Sequence, residues 1–337
     1  MASDREWRDA EDSRPVALAD IDLEDERFRI TTRRDSDDLL PSIRRFGLRR
    51  APLVACTPAG FFMVSGFRRV HACRALGWET IPARVIARAA CEYECALKAV
   101  AENSLERPLN LIETSRALHL LESHAPDGRI LGADAAALGL PAHSELTSRL
   151  KLLCRMPAVL QEALLHGAIS FAMACELGRM EEGLAVDFAR LFLHLKPSLN
   201  KQREIVALVL EIACREDADP RLLLEEAGRS PEAGSADPDR NQQIQRLRRQ
   251  LRRRRFPALA AAEDNFLALR QRLKLGDALQ LAPPRDFEGT RFTLTLSFEN
   301  RDDVARLQAR LNELVDHPDF KTLLAGKGRG FAGAAGG

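Results

Sequence analysis

Two arginines follow a glycine in the stretch VSGFRRVHACRALGW, residues 64–78. Arg68 and Arg69 open a run with helical spacing that stops at Gly77. Guanidinium groups bind phosphate through forked, charge-assisted bonds. A helix start adds free backbone N–H groups and the positive end of the dipole. Gly66 lets an anion come close to the main chain. The chemistry on offer is polyphosphate binding; the competing reading is a solvated basic turn. Glu102 and Asn103 place two hard oxygen donors side by side, suited to magnesium shared with phosphates. Taken alone, they read equally well as polar helix surface. No carboxylate cluster of the kind that holds two metals is visible.

Two further stretches could meet a polyanion. In GADAAALGLPAHSELTSRLKLL (132–153), small residues at 135–137 precede Gly139, as in a helix-turn-helix. The second helix would start at His143 or Ser144 and present Glu145, Thr147, Ser148 and Arg149, with Lys151 beyond. Ser144, Thr147, Ser148, Arg149 and Lys151 are types that contact bases or phosphates. The alternative is a plain helical bundle that does not read DNA. Between Arg240 and Phe256 there are eight arginines and no acid. Arg252, Arg253, Arg254 and Arg255 could grip DNA through counterion release; the other reading is a charged helix or linker.

Stepwise patterning indicates the elements that position these residues. Residues 16–21 (VALADI) read as a strand. SDDLLPSIRRFG (36–47) reads as a helix with Leu39, Leu40, Ile43 and Phe46 on one face. APLVAC and FFMVSG are strands about the turn TPAG, and TIPARVIA is another. Together they make a small α/β domain. From Cys91 to Glu226 the spacing is helical throughout. GRSPEAGSADPDRN (228–241) has linker composition. FPALAAAEDNFLALRQRLKLG reads as a helix ending at Gly276. In TRFTLTLSF (290–298), Phe292, Leu294, Leu296 and Phe298 alternate with Thr and Ser. A helix follows, capped by Asn300, with Val304, Leu307, Leu311 and Leu314 as its buried stripe.

The chain of 337 residues is 45% apolar and 29% charged, with 5% aromatics and a net charge of +1, so any nucleic-acid contact must come from local patches. Seven cysteines lack metal-ligand spacing, and Cys91 and Cys95 read as buried thiols, so no structural metal is expected. The polar start and the lack of a long apolar run suggest a cytoplasmic protein without membrane contact.

These parts, in this order, resemble the ParB family of DNA-partition proteins. LLPSIRRFGLRRAPLVA is similar to the family's first helix and strand. GFFMVSGFRRVHACRALGWETIPARVI is similar to its signature, usually Gly-Glu-Arg-Arg-x-Arg-Ala. AENSLERPLNLIE is similar to the Glu-Asn-x-x-Arg box and the Leu-Asn-x-x-Glu after it. LKLLCRMPAVLQEALLHGAISFAMA is similar to the stretch following the helix-turn-helix. The C-terminal segment with FEGTRFTLTLSF resembles the dimerisation domain. The resemblance covers roughly residues 16–180 and 256–318.

The resemblance implies a dimeric, sequence-specific binder of double-stranded DNA, associated with the nucleoid. Its N-terminal domain would bind CTP with Mg2+ and gate a clamp, serving chromosome or plasmid partition with a ParA-like ATPase. It implies an α+β multidomain fold. Residues 1–14 would be disordered. A ParB/sulfiredoxin-like nucleotide-binding α/β domain would span 15–100, and an all-helical helix-turn-helix domain 101–227. A linker with the arginine run would cover 228–256. A helix-strand-strand-helix dimerisation domain would span 257–325, pairing through Phe292, Leu294, Leu296 and Phe298, with a flexible tail over 326–337. Carried over residue by residue, Gly66, Arg68, Arg69, His71 and Arg107 would hold nucleotide, and Glu102 and Asn103 the metal. Three positions depart from the pattern. Phe67 stands for the family's acid, His71 for its third arginine, and Glu106 for the arginine of the second box, with Arg107 one place later. At most a slow CTPase is expected. The alternatives are a degenerate ParB-like regulator or scaffold without turnover, and a nuclease or kinase on the same fold. A sulfiredoxin-type reaction fails, because Cys73 lies inside the helix and not in the glycine loop.

Overall fold

The computed structural model describes residues 13–86, 91–126, 132–141, 143–228 and 239–325. The expected tail at 326–337, and residues 1–12 of the expected disordered start, lie outside the described residues. The chain divides into two compact units, residues 1–193 and 194–337.

The first unit opens with a five-stranded mixed sheet. Its strands are β1 (Arg14–Ala17), β2 (Ile21–Asp22), β3 (Leu53–Thr57), β4 (Gly60–Ser65) and β5 (Thr80–Ile86), in the order β1-β5-β3-β4-β2. The single strand expected over 16–21 is two short strands, because a 3-10 turn at Leu18–Asp20 lets the chain change neighbours. β1 pairs antiparallel with β5, and β2 parallel with β4. β3 and β4 form the antiparallel hairpin expected about Pro58 and Ala59, and β3 runs parallel to β5 with Val54 opposite Val85. Helices α1 (Leu40–Phe46) and α2 (Phe67–Ala75) cover the sheet. Ile43, Val54, Met63, Val70, Cys73 and Ile81 share its core. Burial of each larger aliphatic among them is worth about 1.5–3 kcal/mol. Of the expected α1 face, Phe46 is exposed and stacks with Arg45.

Helices α3 (Glu92–Ser104) and α4 (Leu111–His124) follow the sheet. Cys95 is buried, its thiol pushed up to about 11 by that burial, whereas Cys91 is exposed at the N-cap of α3, against expectation. The short helix α5 (Gly132–Ala137) and α6 (Ser144–Lys151) come next, then α7 (Ala158–Leu165), α8 (Phe171–Leu177) and α9 (Glu182–Leu195). α4 packs on α3, α6 and α7.

In the second unit, α10 (Leu199–Glu216) and α11 (Pro220–Gly228) pack with α12 (Arg240–Arg255). The arginine run is thus a helix and not a linker: Ile244, Leu247 and Leu251 give it a buried stripe. α13 (Pro257–Leu273) leads to the hairpin of β6 (Leu279–Ala282) and β7 (Thr293–Leu296), then α14 (Arg301–Asp316). A further helix, α15 (Pro318–Ala325), was not read from the sequence. Phe266, Leu273, Leu281, Leu314 and Phe320 form the core of this part, with the Phe292 ring stacked 6.2 Å from that of Phe266.

Candidate functional site

Gly66 caps α2 with φ +91, a left-handed conformation that disfavours a side chain. A Cβ there would also lie 2.9 Å from the Pro52 Cβ and from an Arg69 nitrogen. The chain before β3 is therefore pressed beneath the helix start. Gly66 O accepts from the Arg69 and Val70 N–H groups, and the first-turn donors ahead of them have no intrahelical partner. Here a cavity of about 300 Å³ opens. Gly66, Arg68 and Arg69 line it on one side, and Glu102, Asn103 and Arg107 on the other. The fold brings together the two boxes that are separate in sequence. With Arg50 and Glu106 also in the lining, arginines outnumber glutamates four to two.

The four arginines are held differently. Arg69 donates to Arg50 O at 2.9 Å and makes no ion pair among the described residues. Burial, and then the nearby Arg50 charge, lower its pKa, which marks a cation short of counter-charge. Arg68 pairs with Asp38 and donates to Asp35 O at 2.6 Å. Arg50 pairs with Glu106 and, at 3.0 Å, with Glu102. Arg107 forks onto Glu113 at 2.7 and 2.9 Å.

Glu113 is 1% exposed and was not read as a site residue. It completes a capping box with Asn110 and accepts from Thr32 N at 3.1 Å. Burial alone would raise its pKa, but hydrogen bonds from Arg107, Thr32 and Asn110 outweigh that and hold it below the usual value. The Asn-x-x-Glu spacing of Asn110 and Glu113 is the sequence signal for this box. Arg107 is therefore committed to the fold at the cavity rim.

Phe67 is 5% exposed and belongs to the sheet core, with the Arg29 guanidinium 5.5 Å from its ring centre. His71 does not line the cavity, and burial, then Arg29, lower its pKa. A neutral imidazole there adds no charge for phosphate.

The residues present fit an anion more readily than a bare metal. Glu102 is gripped by Arg50 and, at 2.8 Å, by Arg84, and the Asn103 amide nitrogen donates to Ala99 O at 2.8 Å. No group of three or more His, Cys, Asp or Glu side chains able to hold a metal occurs among the described residues. Magnesium would have to arrive with phosphates, using the Asn103 carbonyl and a Glu102 released by its arginines.

The helix expected from His143 or Ser144 is α6, with His143 at its N-cap. Its candidate DNA-contact side chains are partly engaged. Thr147 Oγ1 donates to Pro141 O at 3.0 Å, Arg149 lies over the Phe171 ring at 5.1 Å, and Lys151 pairs with Glu122 at 2.6 Å. Glu145 and Ser148 are exposed.

On α12 the run without acids in sequence meets acids from its neighbours. Arg253 pairs with Asp264, Arg254 with Glu216 and Glu226, and Arg255 with Glu211. Arg248 pairs with Glu204. Arg246, Arg249 and Arg252 are exposed and have no ion pair among the described residues.

In the C-terminal hairpin, Phe292 and Leu294 pack on the core, while Leu296 is 40% and Phe298 61% exposed. The stripe expected on α14 is buried only at Leu314; Val304 is exposed, and Leu307 and Leu311 are half-buried.

No protein-family model and no curated protein matches the chain. Among solved structures, one similar chain is the C-terminally truncated chromosome-partitioning protein ParB from Caulobacter crescentus complexed to the centromeric parS site. It is 19% identical, with a TM-score of 0.34, over 56% of this chain and 96% of that one. The same truncated protein complexed with CTP-gamma-S is 22% identical, with a TM-score of 0.25, over 54% and 98%. Among the described residues, no helix is long and apolar enough to cross a membrane.

Proposed function

We propose that the chain is a ParB-like DNA-binding protein, a homodimer whose N-terminal domain binds a nucleoside triphosphate, CTP by the sequence resemblance. The observation that carries this reading is the cavity that unites Gly66, Arg68 and Arg69 with Glu102 and Asn103. Arg69 is its principal phosphate ligand, because its charge is desolvated and unpaired by any described carboxylate. Mg2+, when bound, would neutralise phosphate charge. The candidate DNA-contacting residues are Ser144, Thr147, Ser148, Arg149 and Lys151 of α6 and the arginines of α12. Leu296 and Phe298 meet a second copy, with Phe292 and Leu294 behind them. The biological role that fits is partition with a ParA-like ATPase. Phe67, in place of an acid, makes turnover slow.

A second reading is a ParB-like regulator or scaffold that binds no nucleotide. The pairing of Arg107 with Glu113 and of Arg50 with Glu102 and Glu106 favours it. Calorimetric titration of the full chain with CTP and Mg2+ separates the two. The nucleotide reading expects binding that Arg69→Gln weakens by about tenfold or more, the loss of one charge-assisted hydrogen bond. Absence of binding to every nucleoside triphosphate favours the scaffold.

A further inference from the structure

The cavity contains one cation that the sequence reading did not single out. Arg50 sits in the segment pressed beneath Gly66, where its carbonyl accepts from Arg69 and the following Pro52 abuts the glycine. Its main chain is thereby fixed to the start of α2. Its side chain reaches the end of α3, where it holds Glu102 at 3.0 Å and pairs with Glu106. This is the side of the cavity where a cation is expected from the second box. Arg107 does not serve there, since both its terminal nitrogens are turned onto the buried Glu113.

The two carboxylates on Arg50 differ. The Glu102 side chain is only 13% exposed and is gripped a second time by Arg84. The Glu106 side chain is half-exposed, and Arg50 is the only partner of its carboxylate among the described residues. Such a pair contributes little in water. A guanidinium fork accepts a carboxylate or a phosphate, and the two compete for the same donors.

We propose that Arg50 is a phosphate-binding residue of this site and that Glu106 is its built-in competitor. The Glu106 carboxylate stands where a phosphate oxygen would bind and is displaced by a polyphosphate. The inference rests on the triphosphate-site reading above. It inverts the expected effect of the departure at position 106. The acid does not abolish the site; it masks a cation supplied from elsewhere in the chain. The ligand class is the triphosphate group, whether of a nucleotide or of free polyphosphate.

Calorimetry of the full chain with CTP, and separately with inorganic tripolyphosphate, tests this. The forms compared are wild type, Glu106→Gln, Arg50→Gln and the double variant, with Arg50→Lys as a charge-preserving control. Glu106→Gln should bind both ligands about three- to tenfold more tightly, the scale of one removed partly exposed charge. Arg50→Gln should bind more weakly, Arg50→Lys between the two, and the double variant no better than Arg50→Gln. Enhancement with CTP but not with tripolyphosphate would overturn the phosphate assignment. If wild type binds and Glu106→Gln binds no better, the competitor is wrong and the site stands. If the gain persists without Arg50, Glu106 acts only as a general charge, and the inference also fails. If no form binds either ligand, it falls together with the site.

Discussion

Glu113 shows how much of the site is structural. Five donors from three places in the chain converge on a carboxylate that water does not reach: the Thr32 N–H and hydroxyl, both terminal Arg107 nitrogens and the Asn110 N–H. Removing its charge leaves Arg107 half paired and weakens the cap of α4. Glu113→Gln should cost about 1–3 kcal/mol of stability at pH 7, since a buried carboxylate loses charge-assisted hydrogen bonds, offset in part because its partner Arg107 is half-exposed. Its folded pKa is depressed, so this stability is fully present above the usual carboxylate value of 4.5 and is lost as pH falls through the lowered folded value. Urea unfolding of both forms checks it: the gap should be open at neutral pH and close below the ordinary carboxylate range. A variant as stable as wild type at pH 7 would contradict the role. At this scale the residue types were legible and their partners were not. Arg68, Arg69, Glu102 and Asn103 could be read from the sequence and do share a cavity. Arg50 acts through residues distant in sequence, which spacing cannot reveal, and of the partners of Glu113 only Thr32 is distant, while its Asn110 cap was legible as Asn-x-x-Glu.

At the scale of the element, α12 separates sequence from structure most clearly. An acid-free run in sequence is not an unpaired surface. Apolar residues at 244, 247 and 251 turn one face inward, and Glu204, Glu211, Glu216 and Glu226 meet the arginines that flank that face. Arg246, Arg249 and Arg252 lie on the opposite side. They should therefore carry more of any DNA grip than Arg254 and Arg255. Replacing the three with Gln should weaken binding to all sequences and flatten the dependence of log K on log salt by about 0.9 for each phosphate no longer neutralised. Arg254→Gln with Arg255→Gln should change the slope less. Equal slopes in both variants and wild type, measured by fluorescence anisotropy on duplex DNA, would show that α12 only packs. Helix existence was legible where the period was long, as in α4, α10 and α14. The helix α15 was missed because its eight residues show too little period. The reading of 228–256 as linker failed at 240 because charge hid the apolar stripe.

At the scale of the whole molecule, the C-terminal hairpin is the part that would meet a second copy in the proposed dimer. Two short strands and their helices bury Leu281 and Leu314 but leave Leu296 and Phe298 facing water. In the proposed dimer a second copy would cover Leu296 and Phe298, most simply across a two-fold axis. The proposed dimer, with the proposed nucleotide site in each N-terminal domain, would have the parts of a clamp whose closure depends on triphosphate. The most direct test is immunoprecipitation of bound DNA with sequencing in the native host. It would compare the wild-type chain, Arg69→Gln, and Leu296→Asp, the last expected to leave a monomer. Wild type should give a narrow peak with flanks spreading along the DNA. Arg69→Gln should keep the peak and lose the flanks, and Leu296→Asp should lose both. No enriched site in wild type, or the same spread with Arg69→Gln, would contradict a nucleotide-gated protein on DNA.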